Sequence, residues 1–121
     1  MRKTNTRTIK TQINQSEKEI QSAVIEYLTL MENMGKVYFF RNNSFQGSFQ
    51  RSNGSQGYIR NNKPGVPDII VLYQSVFIGL EIKGSKGKQS EYQLQAEKAI
   101  ELAGGQYYII RDLNDVKEII S

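Results

Sequence analysis

The chain has 121 residues, a net charge of +4, 38% apolar residues, and neither cysteine nor histidine. That length fits one domain with a modest core. Without cysteine there is no disulfide framework and no thiolate metal site; without histidine there is no Ser–His triad, no imidazole general base and no His-rich zinc centre.

Any bound metal must therefore be held by oxygen, which favours a hard cation such as Mg²⁺ or Mn²⁺. The charge is unevenly spread. Residues 1–16 carry Arg2, Lys3, Arg7 and Lys10 and no acid, and residues 33–90 carry eight Lys or Arg against only Asp68 and Glu81. Residues 91–121 reverse the balance, with six acids against three bases. A basic front half suits a polyanionic partner such as nucleic acid, although a solvated basic surface has the same composition. No apolar run approaches the ~20 residues needed to span a bilayer, and the N-terminal MRKTNTRTIKTQINQ lacks the apolar centre of a signal peptide. The expectation is an intracellular, cytoplasmic protein without a membrane partner.

In chain order, residues 1–15 are polar, Thr-rich and basic, and are expected to form a flexible segment ahead of a domain spanning 16–121. A helix is predicted from Ser16, where Ser16 and Glu19 match a capping box. Ile20, Ala23, Val24, Tyr27, Leu28 and Met31 recur at the spacing of one helical face, and Gly35 ends the helix. Val37–Phe40 is rich in aromatic and β-branched residues and reads as a strand. Residues 42–65 are Asn-, Ser-, Gln- and Gly-rich, with Arg51, Arg60 and Lys63 and no acid. So long a loop in a small domain is usually functional or disordered, and a hairpin around Ser48–Tyr58 is compatible with it. Asp68–Tyr73 reads as a mostly buried strand, Gln74-Ser75 as a short turn, and Val76–Lys83 as the returning strand. A basic glycine loop, Gly84–Lys88, leads to a helix over Ser90–Ala103 stopped by Gly104-Gly105. Gln106–Ile110 is another strand. Asn114 is the expected cap of a short last helix with Val116, Ile119 and Ile120 facing inward. The order α-β-β-β-α-β-α implies an α/β fold with a mixed central sheet flanked by helices.

Asp68 begins one strand and Glu81 and Lys83 end the next. A tight hairpin brings those ends together, and side chains two apart share a face of a strand. Two carboxylates and a lysine then converge at one end of a sheet. With the carbonyl of Ile82 and water, the carboxylates can hold Mg²⁺ or Mn²⁺. Such an ion polarises a phosphate and acidifies a bound water, while a lysine orients or deprotonates that water and offsets developing charge. An ordinary exposed Glu–Lys pair and a strand-initiating Asp would produce the same letters. Against that, Glu81 follows the apolar run Val76–Leu80, and a carboxylate buried there is costly unless paired or metal-bound.

Gly65-Val66-Pro67-Asp68, followed thirteen residues later by Glu81-Ile82-Lys83, resembles the PD-(D/E)xK nuclease motif. The continuation, a basic glycine loop and then Ser90-Glu91-Tyr92-Gln93 opening a helix, resembles the VRR-NUC branch of that superfamily, in particular its small stand-alone phage-type forms. The resemblance covers residues 16–112. It implies a PD-(D/E)xK restriction-endonuclease-like core, Asp68 and Glu81 as metal ligands, Lys83 as the catalytic lysine and Gln93 as catalytic support. Gln93 also completes a capping box with Ser90, and the two roles are compatible. The family further places a glutamate of the first helix near the metal. Glu17 extends the inward face, Glu19 is explained by capping from Ser16, and Glu26 lies off the stripe; Glu17 is preferred, with an Asn14–Glu17 capping box as its bland alternative.

Lys86 and Lys88 in the glycine loop, and Arg41, Arg51, Arg60 and Lys63 around the long loop, are candidate DNA-phosphate contacts. Phe45, Phe49 and Tyr58 are candidates to stack on bases or to pack the loop down. The resemblance implies a structure-specific DNA endonuclease acting on four-way (Holliday) junctions, for which a two-fold homodimer supplies the two opposed cuts. No organic cofactor is implied. The alternatives are a nonspecific or flap-cutting endonuclease, and a catalytically silent DNA-binding subunit of a recombination or repair complex.

Overall fold

The computed structural model describes residues 15–42, 47–59 and 63–121, with the backbone alone at 47–49, 58 and 59. Residues 1–14 of the predicted flexible segment, Arg60 and Phe45 lie outside the described residues, as do the side chains of Phe49 and Tyr58.

The chain is a mixed α/β protein. Helix α1 (Glu17–Asn33) leads into strand β1 (Val37–Arg41), a hairpin of β2 (Gly47–Gln50) and β3 (Gln56–Ile59), then β4 (Ile69–Tyr73), β5 (Val76–Ile82), helix α2 (Glu91–Leu102), β6 (Gln106–Ile110) and helix α3 (Leu113–Ile119). The compatible hairpin inside the long loop is thus present and adds two strands to the expected order. It forms a two-stranded sheet of its own, and β1-β4-β5-β6 form the four-stranded sheet. Within that sheet β1/β4 and β4/β5 are antiparallel and β5/β6 are parallel.

Both long helices start and stop for local reasons. Ser16 Oγ accepts from the amide of Glu19, whose carboxylate accepts from the Ser16 amide. At the other end Gly35 (φ 76°) turns left-handed, with Gly35 N–H donating to Glu32 O and Lys36 N–H to Met31 O. This is the double hydrogen bond that satisfies the last carbonyls of a helix. Helix α2 repeats the device with Gly104 (φ 100°) and Gly105, which donate to Glu101 O and Ile100 O. The cap of α3 is Asp112, which accepts from the amide of Asp115. The expectation of Asn114 was two residues late, because Asp112 offers an equivalent oxygen acceptor at the end of β6.

Alternation in the strands separates the two faces of the sheet. Ile69 and Val71 of β4, Ile78, Leu80 and Ile82 of β5, and Ile110 of β6 join Ile20, Val24, Leu28 and Met31 of α1 and Val116 and Ile120 at the C-terminus in one aliphatic core. Helices α1 and α3 therefore cover this face. The opposite face carries Asp68, Gly79, Glu81 and Tyr107. Here a methyl group built on Gly79 would meet Pro67 and Ile100 of α2, so α2 covers this face on its β5–β6 side. Among the described residues no helix is long and apolar enough to cross a membrane.

Candidate active site

The segment Gly65-Val66-Pro67-Asp68 is built to hold its aspartate. Gly65 adopts φ 82°, and a Cβ there would lie 2.2 Å from the backbone carbonyl oxygen of Tyr92. Only glycine allows this backbone to press against the first turn of α2. Pro67 is fully buried and stacks on Gly79, where a Cβ would lie 2.5 Å from its ring. Glycine at 79 is thus the counterpart of proline at 67, and the pair sets the height of Asp68 above the sheet.

The β4–β5 connection sets the register. Gln74 (φ 51°) and Ser75 (φ 68°) are both left-handed, as the tight turns that match strand twist require. Ile69 then pairs with Leu80, and one step further along the ladder Asp68 stands opposite Glu81.

Glu81 is only 4% exposed, the single buried charged residue among the described residues. Gln93 Nε2 donates to its Oε2 at 2.8 Å, and its Oε1 has no hydrogen-bond partner. Gln93 is used three ways: its amide donates to Ser90 Oγ, its Oε1 accepts from the Ser90 amide at 2.9 Å, and its Nε2 reaches the carboxylate. Capping and carboxylate support therefore coexist, because the side-chain amide has a separate donor and acceptor. Asp68 Oδ2 accepts from the amide of Ile82 at 2.8 Å, in the strand that carries Glu81 and leads directly into Lys83.

Burial pushes the Glu81 carboxyl up to about 8, and the neighbouring charge of Asp68 pushes the same way. Lys83 lies close enough to oppose the shift, and Glu17 adds weakly to it. A buried phenol is in the same field: burial pushes Tyr107 up to about 12, against Gln89, which lowers it, while Glu81, Glu97 and Asp68 raise it. Tyr107 thus stays neutral beside the carboxylates.

Lys83 continues the parallel pairing, its amide donating to Ile110 O. The loop behind it is held from two sides. Glu17 Oε2 lies 3.5 Å from the Gly84 amide, and Arg111 Nη1 donates to Gly84 O at 2.7 Å. Glu19 is engaged with the Ser16 amide instead. Of the two helical glutamates, Glu17 is the one brought beside the Lys83 loop.

The other expected DNA contacts divide. Lys86 and Lys88 are exposed in the loop that follows Lys83. Arg41 pairs across from Ile69, so alternation turns it to the α1 face, away from Asp68 and Glu81. There the Gln21 carboxamide, oxygen toward Arg41, accepts from Nε and Nη2, both at 2.9 Å. Arg41, Gln21 and Lys18 line a groove of about 350 Å³ between α1 and β1. Arg51 braces its own hairpin through Ser55 Oγ and the Gln56 carbonyl. Lys63 is exposed ahead of Gly65.

Sequence reasoning passed over Arg111 and Tyr107. A signal for Arg111 existed: β5 and β6 are parallel strands joined by one helix, so their C-terminal ends lie side by side. The residue after β6 then falls beside the residues after β5. Tyr107 carried no such signal, since alternation alone does not tell a core tyrosine from one beside a carboxylate.

Among the described residues no group of three or more Asp, Glu, His or Cys side chains is arranged to hold a metal ion. Asp68 and Glu81 are a pair, and a cation there would need the Ile82 carbonyl and water to complete its shell. The orphaned Glu81 Oε1 and the mutual repulsion of the two carboxylates fit a hard divalent cation; nothing in the site fits a soft one. The chain matches no protein-family model and no characterised protein.

Proposed function

We propose that this protein is a metal-dependent DNA endonuclease with a PD-(D/E)xK core of the VRR-NUC type, acting on branched DNA and most of all on four-way junctions, as a homodimer. The observation that carries this reading is the meeting of Asp68, Glu81 and Lys83 at one end of the sheet, with Gln93 on one oxygen of Glu81 and the other oxygen unpartnered.

Asp68, Glu81 and the carbonyl of Ile82 are the groups that would hold Mg²⁺ or Mn²⁺. When bound, such a cation neutralises the two carboxylates, polarises the scissile phosphate and acidifies water. The residues of the chain do the rest. Gln93 fixes the plane of the Glu81 carboxylate. Lys83, half-buried on the same face, faces the phosphate and offers its ammonium group to the developing negative charge, or takes the proton of the attacking water when it is neutral. Glu17 faces the Gly84 amide at the rim. Lys86 and Lys88, three and five residues after Lys83 in the loop, attract and align the phosphate backbone without reading bases. The junction preference rests on the family resemblance and on the geometry of two opposed cuts, which a two-fold dimer supplies.

The test uses a labelled four-way junction and a matched linear duplex, each with Mg²⁺, Mn²⁺ or EDTA. Cutting of the junction alone, blocked by EDTA and by Lys83→Ala, is the expected result. Equal cutting of both substrates would keep the nuclease and discard the junction. Binding with no cutting under any metal would overturn the enzyme and leave a DNA-binding subunit.

A further inference from the structure

The loop after Lys83 is closed on itself and latched from outside. Gly87 N–H donates to Gly84 O at 3.1 Å, which makes residues 84–87 a tight turn. The same Gly84 oxygen accepts from Arg111 Nη1 at 2.7 Å. A carbonyl has two lone pairs, and this one uses both. Arg111 is itself anchored: its amide donates to Asp115 Oδ2 at 2.8 Å in the first turn of α3, and the carbonyl just before it, that of Ile110, accepts from Lys83 N.

The inner side of the turn touches the lysine. A Cβ on Gly87 would lie 3.2 Å from Cδ and 3.3 Å from Cβ of Lys83. The aliphatic stem of Lys83 therefore rests on Gly87, and the position of Gly87 is set by the turn that Arg111 latches. Lysine has four rotatable side-chain bonds and no planar head to lock it; a surface against its stem is what confines its ammonium group.

We propose that Arg111 is a positioning residue: it aims Lys83 through the Gly84–Gly87 turn, without contacting the substrate. The proposal rests on the nuclease reading for its consequence in catalysis, while the latch itself can be measured without any cleavage.

The experiment compares the full chain with Arg111→Met and Gly87→Ala. Arg111→Met keeps the aliphatic bulk and removes the donor. Gly87→Ala keeps the latch and pushes on the lysine stem. By NMR, Arg111→Met should speed exchange of the Gly87 amide on the order of tenfold. Both variants should shift the Lys83 side-chain carbon signals, while amides in β4 and β5 keep their exchange rates. On DNA, both should lower kcat on the order of tenfold to a hundredfold, the range for misplacement of a reacting group by about an ångström, with KM unchanged. Unmoved Lys83 signals in Arg111→Met would overturn the proposal. So would a rise in KM with a shallower salt dependence, which would put Arg111 on a phosphate. Faster exchange throughout β5 and β6 would overturn it too, by making Arg111 a general brace of the fold. If Arg111→Met does not fold, Arg111→Gln, whose shorter side chain withdraws the donor from Gly84 O, decides by the same Lys83 signals and the same kcat against KM. A wild-type protein that cuts no DNA would sink the nuclease reading, and the Gly87 and Lys83 signals would still decide the latch.

Discussion

The two faces of the four-stranded sheet are opposites. The face under α1 and α3 is closed and aliphatic: Val24, Leu28, Ile69, Val71, Leu80, Ile110, Val116 and Ile120 are completely buried there. The face under α2 is half open. It leaves Tyr38, Phe40, Leu72 and Phe77 exposed, and at one end it buries a carboxylate with an unpartnered oxygen. The first face supplies the hydrophobic driving force, roughly proportional to apolar area removed from water. The second spends part of it holding Glu81 in a place that disfavours its charge. One residue of offset along β5 separates the two regimes, since Leu80 and Ile82 face the core and Glu81 between them faces the site.

This contrast can be broken from either side. The largest effect is expected on the α2 face. Lys83→Ala or Asp68→Asn should lower cleavage by at least ~100-fold, with the melting temperature little changed; a variant that keeps full activity would remove that residue from the site. On the α1 face the pattern should invert. Leu28→Ala, at a position with no exposure, should destabilise by about 2–5 kcal/mol and leave the kcat of the folded fraction near wild type. Denaturant unfolding together with activity at low temperature separates the two classes.

The pH dependence sharpens the comparison. The Glu81 carboxyl is raised to about 8 from an ordinary 4.5, so between those values the folded protein holds a proton that the unfolded chain has released. Stability therefore falls as pH rises from about 4.5 to about 8 and levels off above. In the absence of divalent metal the melting temperature should drop across that window, Glu81→Gln should flatten the drop, and added Mn²⁺ should reverse it in wild type alone. A flat wild-type profile in EDTA would show that Glu81 is not held in its protonated form.

The smallest effect concerns the rim. Glu17→Gln should reduce cleavage more than Glu19→Gln, because Glu17 faces the Gly84 amide and Glu19 faces that of Ser16. Glu19→Gln should leave the melting temperature near wild type, since glutamine still completes a capping box. The reverse order in a cleavage assay would transfer the helical role to Glu19.

Much of the fold was legible because its signals are local. The capping residues Ser16 and Ser90, the stop glycines Gly35 and Gly104, and the alternation in β4 and β5 each act over a few residues and survive any tertiary arrangement. The motif residues were legible for the same reason: a tight turn at Gln74-Ser75 makes Asp68 and Glu81 neighbours by counting. Where counting meets a choice of acceptors it slips, as with the cap of α3 at Asp112 in place of Asn114. For Arg41 the residue type and a basic neighbourhood suggested a contact, while parity with Ile69 sends its side chain to the other face.

The sequence by itself determined the elements outside the β2–β3 hairpin, the hydrophobic face of α1, β4 and β5, and the gathering of Asp68, Glu81 and Lys83, because these depend on short-range geometry and on the period of the strand. Only the tertiary structure decided that Glu81 keeps one oxygen without a partner, that Gln93 both caps its helix and holds the carboxylate, and that Arg111 closes over the turn behind Lys83. Those outcomes depend on which surfaces β5, α2 and the end of β6 bring within 3 Å of one another, and that is set by how the layers pack rather than by any neighbour in the chain.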